Sequence, residues 1–413
     1  MKRNKRKMLL MLAVLLAVMT SAVPFCAAVH TQTMPVLMYH DLTEDPAAVN
    51  SLTVTGERFR MDMEFLQAYG YTPLLPSELA ALRKNGGALP SRPVMITFDD
   101  GYRSNYEIAY PILQQTGMKA VIAVLGGNVD RATAAGEPRG FMTWDELREM
   151  AESGLVEVGS HTYGLHNGQY GGSLVPDGIN GVMRRRGESQ RAYRARVGGD
   201  LRRSIDGIVQ HTGQKQVCYF AYPFGAYDSW MQQMLEENGV SVSVVTKAGA
   251  AAPLVSLHKM PRYAVRMDQP VSALLRRADS AVPTLAAISV NGAQSRLPAY
   301  HVDGHHFVRV RDVAMLLRQT ASGFDVQWNA GQRRVELTSF AAYTPLGTEL
   351  QPLPQGTRRL QSLPTPTMVD GAAHMVASYQ AEGVTYYKLR SLGELCGFAV
   401  DWNSEAHLVE VTA

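Results

Sequence analysis

The chain reads as a parallel α/β domain followed by a smaller α+β domain made of two similar units. Three observations carry this reading. From about residue 34 to 280, short apolar runs alternate with helix-like periodic stretches, as in βα units of a parallel sheet. The pattern breaks near Ser280-Ala-Val-Pro283. Beyond the break a motif occurs twice. VRVRDVAMLLRQTASGFDVQWN and YKLRSLGELCGFAVDWN each run from a strand-like segment through a short helix to Gly-Phe and a Trp-Asn turn. Neither copy can bury its apolar face alone, so the two are expected to pack as one pseudo-symmetric unit. The expected divisions are 1–28, 29–282 and 283–413.

The first division is a secretory signal. Lys2, Arg3, Lys5, Arg6 and Lys7 precede the apolar run 8–19, and Ala27-Ala28 supplies a small-residue ending. The run is shorter than the ~20 residues of a spanning helix. The segment is read as cleaved or retained as an N-terminal anchor, with the protein secreted or at the cell surface. Formal net charge is +3; without those cations, 35 basic groups face 37 acidic ones, about −2. No electrostatic case for a nucleic-acid partner remains.

Strands are expected at 35–39, 94–98, 119–125, 155–158, 217–221 and 240–245. Helices are expected at 58–69, with Phe59, Met63 and Leu66 on one face, and at 144–153 after a Thr143 cap. A third, at 188–212, carries the stripe Leu201, Ile205 and Ile208. In the second domain each Trp-Asn turn leads into another strand, at 334–337 and 408–411, and Pro-rich 345–366 reads as a loop. Trp328 and Trp402 are expected to staple the repeat cores rather than stack on sugars. His301, His305 and His306 flank an Asp303-Gly304 turn signal and are expected as exposed turn residues. Cys218 reads as a small buried hydrophobe.

The chemistry concentrates in TFDDGY, residues 97–102. In parallel α/β folds the C-terminal ends of strands hold the active site, and Asp99 and Asp100 stand at such an end. Strand alternation sends neighbouring side chains to opposite sides. One carboxylate can then ligate a metal while the other stays free as a base, and the cation relieves their repulsion. Asp-Gly alone would be only a turn. A second motif, SHTYGLH, places His161 and His166 just past the strand at 155–158. Two imidazoles and one carboxylate leave a coordination position open, the arrangement of a catalytic zinc site.

TFDDGY and SHTYGLH resemble the first two signature motifs of polysaccharide deacetylases, carbohydrate esterases with a NodB-type homology domain. FAYPFG (220–225) resembles the third motif. PVLMYH (35–40) resembles the lead strand of the branch acting on poly-N-acetylglucosamine and related surface glycans. The resemblance covers about 34–270 and implies a distorted (β/α) barrel of fewer than eight strands. It implies that Asp100, His161 and His166 bind a divalent metal, usually Zn2+, and that Asp99 is the general base. It also implies that the third motif lines the substrate, with Tyr222 and the backbone N–H of Phe224 at the oxyanion.

Two departures from the family pattern matter. Ala221 stands where many members carry an arginine that orients the base. Arg262, in KMPRYAV, is the expected substitute, against a merely structural arginine. For the general acid, His258 in VSLH loosely resembles a late Leu-x-His motif, and His40 at a strand end is the alternative. The implied reaction is hydrolytic N-deacetylation of an extracellular N-acetylhexosamine polysaccharide, peptidoglycan or poly-N-acetylglucosamine-like, releasing acetate. The alternative is a non-catalytic cell-wall glycan-binding protein on the same barrel. A glycosidase is disfavoured, because its two carboxyls stand ~5–9.5 Å apart across the bond. Finally, YYKLRSLGELCGFAVDWN resembles the domain named for the N-terminal region of copper amine oxidases. Copper is not implied, and the expected role of 283–413 is cell-wall or surface association.

Overall fold

Eight strands make one parallel sheet, seven of them on one path: β1 (Val36–Tyr39), β2 (Pro93–Asp100), β3 (Ala120–Val124), β4 (Val156–Ser160), β5 (Tyr219–Ala221), β6 (Val242–Val244) and β7 (Tyr263–Ala264); the eighth, Thr72–Pro73, pairs beside the start of β2. The order along that path is β7-β1-β2-β3-β4-β5-β6. This computed structural model describes residues 32–135, 140–166, 181–363 and 366–413, so the expected signal at 1–28 lies outside the described residues. Among those described, no helix is long and apolar enough to cross a membrane.

β1 to β6 are fully buried, as parallel strands covered on both faces must be, and the edge strand β7 is half-buried. Val94, Ile96 and Phe98 face the helix-side core. Met95, Val121, Tyr219, Ala221 and Val244 fill the inside of the curled sheet. Helices cover the outside. α1 (Gly56–Ala68) starts where the Thr55 hydroxyl accepts from Arg58 N–H. α2 (Trp144–Glu152) starts with a capping box between Thr143 and Glu146, worth about 1 kcal/mol. α3 (Gln190–Thr212) buries Val197, Leu201 and Ile208, and ends at Gly213 in the left-handed conformation.

The seventh strand was not read from the sequence, and it matters most for the site. Residues 257–265 span the gap between the sheet's two edges. Their first half bonds β6: Ser243 N–H donates to Leu257 O at 2.9 Å and Met260 N–H to Ser243 O at 2.9 Å. Their second half bonds β1, with Leu37 opposite Tyr263 and Val265 N–H donating to Met38 O at 3.0 Å. Arg262 sits at the crossing point.

The C-terminal part is an antiparallel barrel. β8 (Ala278–Val290), β9 (Ala293–Val302), β10 (His305–Arg309), β13 (Arg358–Ser362), β14 (Ser378–Ala381) and β15 (Val384–Lys388) close in the order β8-β9-β10-β15-β14-β13-β8. The repeat is visible in it. One copy runs β9-β10, α4 (Val310–Leu317), β11 (Phe324–Asn329) and β12 (Arg334–Ser339). The other runs β14-β15, α5 (Leu389–Cys396), β16 (Ala399–Asn403) and β17 (Leu408–Thr412). The copies meet where β10 pairs with β15.

The break at 280–283 is strand rather than linker. β8 passes through Pro283 where its partner changes from β13 to β9, a place where a missing N–H is tolerated. Residues 33–413 form one compact unit. Tyr69 bonds the backbone of Ser378 through its hydroxyl, and Met375 N–H donates to Glu64 at 3.1 Å. Val271, Leu275, Tyr300, Phe307 and Tyr379 share one apolar cluster with Phe65 and Tyr69.

Candidate metal and active site

β2 ends in two carboxylates that part company as strand alternation requires. Asp99 points inward on the same side as Thr97. Arg262 bonds both: Nη1 donates to Thr97 Oγ1 at 3.1 Å and to Asp99 Oδ1 at 2.8 Å, and Nη2 donates to Asp99 Oδ2 at 2.7 Å. Arg262 Nε donates to Val245 O at 3.2 Å. Both side chains of the pair are buried. Burial alone would raise the Asp99 carboxyl, but the Arg262 guanidinium outweighs it and holds Asp99 well below the usual carboxylate range.

Asp100 leaves the strand in the left-handed region, φ 73°, a conformation that asparagine and aspartate tolerate best among side chains. Gly101 follows at φ 79°, where a Cβ would stand 3.0 Å from Val124 Cγ1, so glycine is required there. The turn aims Asp100 Oδ1 at His161 Nε2, 3.5 Å away, and at His166 Nε2, 3.7 Å away. That oxygen is buried and has no hydrogen-bond partner, an expensive state for a carboxylate.

These residues fit a metal. Ligand bonds of about 2.0–2.1 Å in a tetrahedron put ligand atoms about 3.3 Å apart. One ligand atom from each of Asp100, His161 and His166 lies within 4.8 Å of the others. His161 Nδ1 is 2.8 Å from Ala221 O. The carbonyl can only accept, so Nδ1 carries the proton and Nε2 offers its lone pair. Burial holds both imidazoles below the ordinary histidine value, His166 helped by the neighbouring His161. Both are therefore neutral, as ligation requires.

The His161–His166 turn is held from α3. Asp200 accepts from Tyr163 N–H at 2.9 Å and Gly164 N–H at 2.8 Å. Ser204 Oγ is 2.8 Å from Ser160 Oγ. Neither helix residue was singled out from sequence; polar residues in a charged helix carry no local mark of such a role.

The structure brings some expected residues together and not others. His40, ending β1, lies within electrostatic reach of Asp99, Asp100, His161 and Arg262, and burial lowers its pKa. Phe224, left-handed at φ 57°, sets its ring 4.4 Å from that of His166. Tyr222 goes elsewhere. With Phe220 it faces the helix side of β5, among Tyr193, Met231 and Met234, while Tyr219 and Ala221 alternate inward. It is a core residue, not part of the groove.

His258 is also not at the site. Its Nε2 is 3.5 Å from Glu236 Oε1, and it lines a cavity with Lys84, Gly239 and Ser241. Those residues precede β2 and β6, so the cavity opens at the N-terminal ends of the strands, opposite Asp99 and Asp100. A three-residue match cannot say which end of a barrel it reaches.

A groove of ≈ 400 Å³ leads to Asp100 and His166 between Tyr102, Phe141, Arg131 and Tyr163. Tyr102 and Phe141 stack at 5.3 Å. Asp130 braces the wall, accepting from Tyr163 Oη–H at 2.8 Å and Trp144 Nε1–H at 2.8 Å.

Known proteins resemble this chain over the same sheet. A family model described as Polysaccharide deacetylase matches residues 86–243. YxkH of Bacillus subtilis (strain 168), provisionally named a polysaccharide deacetylase, is 28% identical over 232 residues, 56% of this chain and 71% of its own. The poly-beta-1,6-N-acetyl-D-glucosamine N-deacetylase of Escherichia coli (strain K12) is 29% identical over 227 residues, 52% of this chain. The match spans only 32% of that enzyme's length. Among solved structures, a de-N-acetylase from Aggregatibacter actinomycetemcomitans superposes with TM-score 0.51 at 25% identity, covering 59% of this chain and 98% of that one. The chain therefore carries a polysaccharide deacetylase domain, and Asp99, Asp100, His161 and His166 all fall within its matched region.

Proposed function

We propose that this protein is an exported, metal-dependent hydrolase that removes acetyl groups from the N-acetylhexosamine units of a polysaccharide, releasing acetate. One observation carries the reading: an orphaned, buried Asp100 oxygen faces two neutral imidazoles beside an arginine-clamped Asp99. The names of the relatives favour a poly-N-acetylglucosamine-like substrate, with peptidoglycan as the second candidate.

Asp100, His161 and His166 would hold the metal, zinc by its donor set. Bound there, it would supply Lewis acidity to the acetamide carbonyl and acidify a water. Asp99 accepts the proton of the attacking water. Its depressed pKa makes it a weak base, sufficient only for an acidified water, and Arg262 fixes its orientation. The turn at Phe224 supplies a backbone N–H toward the developing oxyanion. His40 is the donor to the leaving nitrogen as the C–N bond breaks, acting through its imidazolium form, which burial makes the minor one; acetate and a free amine are left. His258, at the far end of the barrel, is left out.

Residues 283–413 resemble the domain named for the N-terminal region of copper amine oxidases. The duplicated hairpin–helix–hairpin unit supports that likeness, and the part is assigned to cell-wall or surface association.

The test is acetate release from N-acetylglucosamine oligomers and purified cell wall, measured as isolated, after chelation, after zinc is restored, and with Asp100→Asn. Release that chelation and Asp100→Asn abolish, and zinc restores, is expected. Glycan retention without acetate, with zinc still bound, would instead favour a glycan-binding protein on the same barrel.

A further inference from the structure

Trp328 and Trp402 do not staple the repeat cores. They are 56% and 55% exposed. They hold equivalent places in the two copies, Trp328 opposite Val335 and Trp402 opposite Val409. Their surroundings differ. Trp402 walls a groove of ≈ 420 Å³ together with His301, His306, Lys388 and Arg390, and Trp328 is not among the lining residues. An exposed indole ringed by hydrogen-bonding side chains suits a pyranose, whose C–H face is apolar and whose rim is polar.

The groove does not end at a single sugar. His305 and Lys388 line it and also line an adjoining cavity of ≈ 550 Å³ that reaches Arg92 and Arg277. Arg92 pairs with Asp303, Arg277 pairs with Asp279 at 2.7 Å, and Arg390 only approaches Asp401, at 4.0 Å. Asp303 and Asp401 are largely exposed, and such pairs are weak. Lys388 is half-buried at the junction, and among the described residues no carboxylate stands within ion-pair distance of it. Burial lowers its pKa; Glu394, beyond ion-pair distance, opposes this, and Arg390 and Arg92 add to it. The same three cations, with burial, depress His305. Asp401 also lines the groove and Asp303 the adjoining cavity, which leaves Lys388 as the lining cation without an ion pair among the described residues.

We propose that this groove binds an anionic glycan, with Trp402 stacked on a sugar ring and Lys388 and Arg390 on a carboxylate or phosphate of the same chain. Arg390 offers a planar fork and Lys388 a point charge, and both suit an oxyanion. An amine-bearing, deacetylated product would be repelled. The groove therefore holds an acidic wall or surface polymer, not the product of the deacetylase site, and it stands whether or not the deacetylase reading holds.

The test titrates the full chain with oligogalacturonate, with a glycosylated poly(glycerol phosphate) and with neutral N-acetylglucosamine oligomers, following tryptophan fluorescence at about 0.02 and 0.3 M salt. At least one anionic probe should bind and weaken with salt; which one binds identifies carboxylate or phosphate as the anchor. Trp402→Ala, Lys388→Glu and Arg390→Glu should each weaken it at least tenfold, with Trp328→Ala unchanged. Acetate release from short oligomers should be unchanged in all four variants. Arg390 is half-exposed, so its variant serves if Lys388→Glu fails to fold. Binding of neither anionic probe, salt-independent binding, equal affinity for neutral oligomers, or an equal loss with Trp328→Ala would overturn the proposal.

Discussion

Arg262 meets Asp99 through two parallel hydrogen bonds, at 2.8 and 2.7 Å, across a separation of 163 residues. Removing the arginine strands a buried carboxylate. Arg262→Ala should cost roughly 3–5 kcal/mol of stability, read by urea unfolding. Burial then raises the Asp99 carboxyl against only His161 and His40, so the acid limb of the acetate-release pH profile should move to higher pH. Arg262→Lys keeps the charge but not the fork, and should fall between Ala and wild type.

Asp200 reaches His161 and His166, the proposed metal ligands, only through the backbone of Tyr163 and Gly164. Asp200→Ala should weaken metal binding roughly ten- to a hundredfold, measured by competition with a chelator. Activity should return at saturating metal, which separates positioning from chemistry.

Gly225 is left-handed at φ 71°, and a Cβ there would clash with the Thr246 side chain and backbone N. Gly225→Ala should displace the turn that carries Phe224. The expected result is a fall in kcat of at least tenfold with metal content unchanged, checked by elemental analysis beside the assay.

Asp62 sets a pH dependence remote from the site. It accepts from Tyr39 Oη–H at 3.0 Å and Val271 N–H at 3.0 Å. Burial, only partly opposed by Arg58 and these bonds, pushes its carboxyl up to about 7. The unfolded value is about 3.9, so the folded state binds the extra proton between them. Stability should therefore fall as pH rises from about 4 to about 7, by at most roughly 4 kcal/mol. Asp62→Asn should flatten that slope in melts across the range.

Much of this arrangement was legible in the chain. The six strands expected from apolar runs lie within a few residues of β1 to β6, because parallel strands buried on both faces are written as unbroken apolar segments. The strand ends then placed Asp99, Asp100, His161 and His166. β7 was missed because two residues carry no period. Tyr222 was misread because a motif gives position but not parity: just past β5, its side chain takes the helix side. The tryptophans were misread for a related reason. Phe324 and Val326 are buried on β11, and Trp328, next on the same face, has run past the edge of the core. Nothing in an alternating pattern marks where a hairpin outruns what it covers.

The crossing segment 257–265 also fixes the order in which the site can be completed. Asp99 is made early in the chain, and its counterion arrives only with the segment that stitches the sheet's two edges together. Long-range pairings of this kind form late and slowly. A nascent chain that stops short of Arg262 would already hold Asp100, His161 and His166, yet carry Asp99 without the guanidinium that fixes its orientation. Orientation of Asp99 is thus tied to closure of the barrel by the segment that carries Arg262.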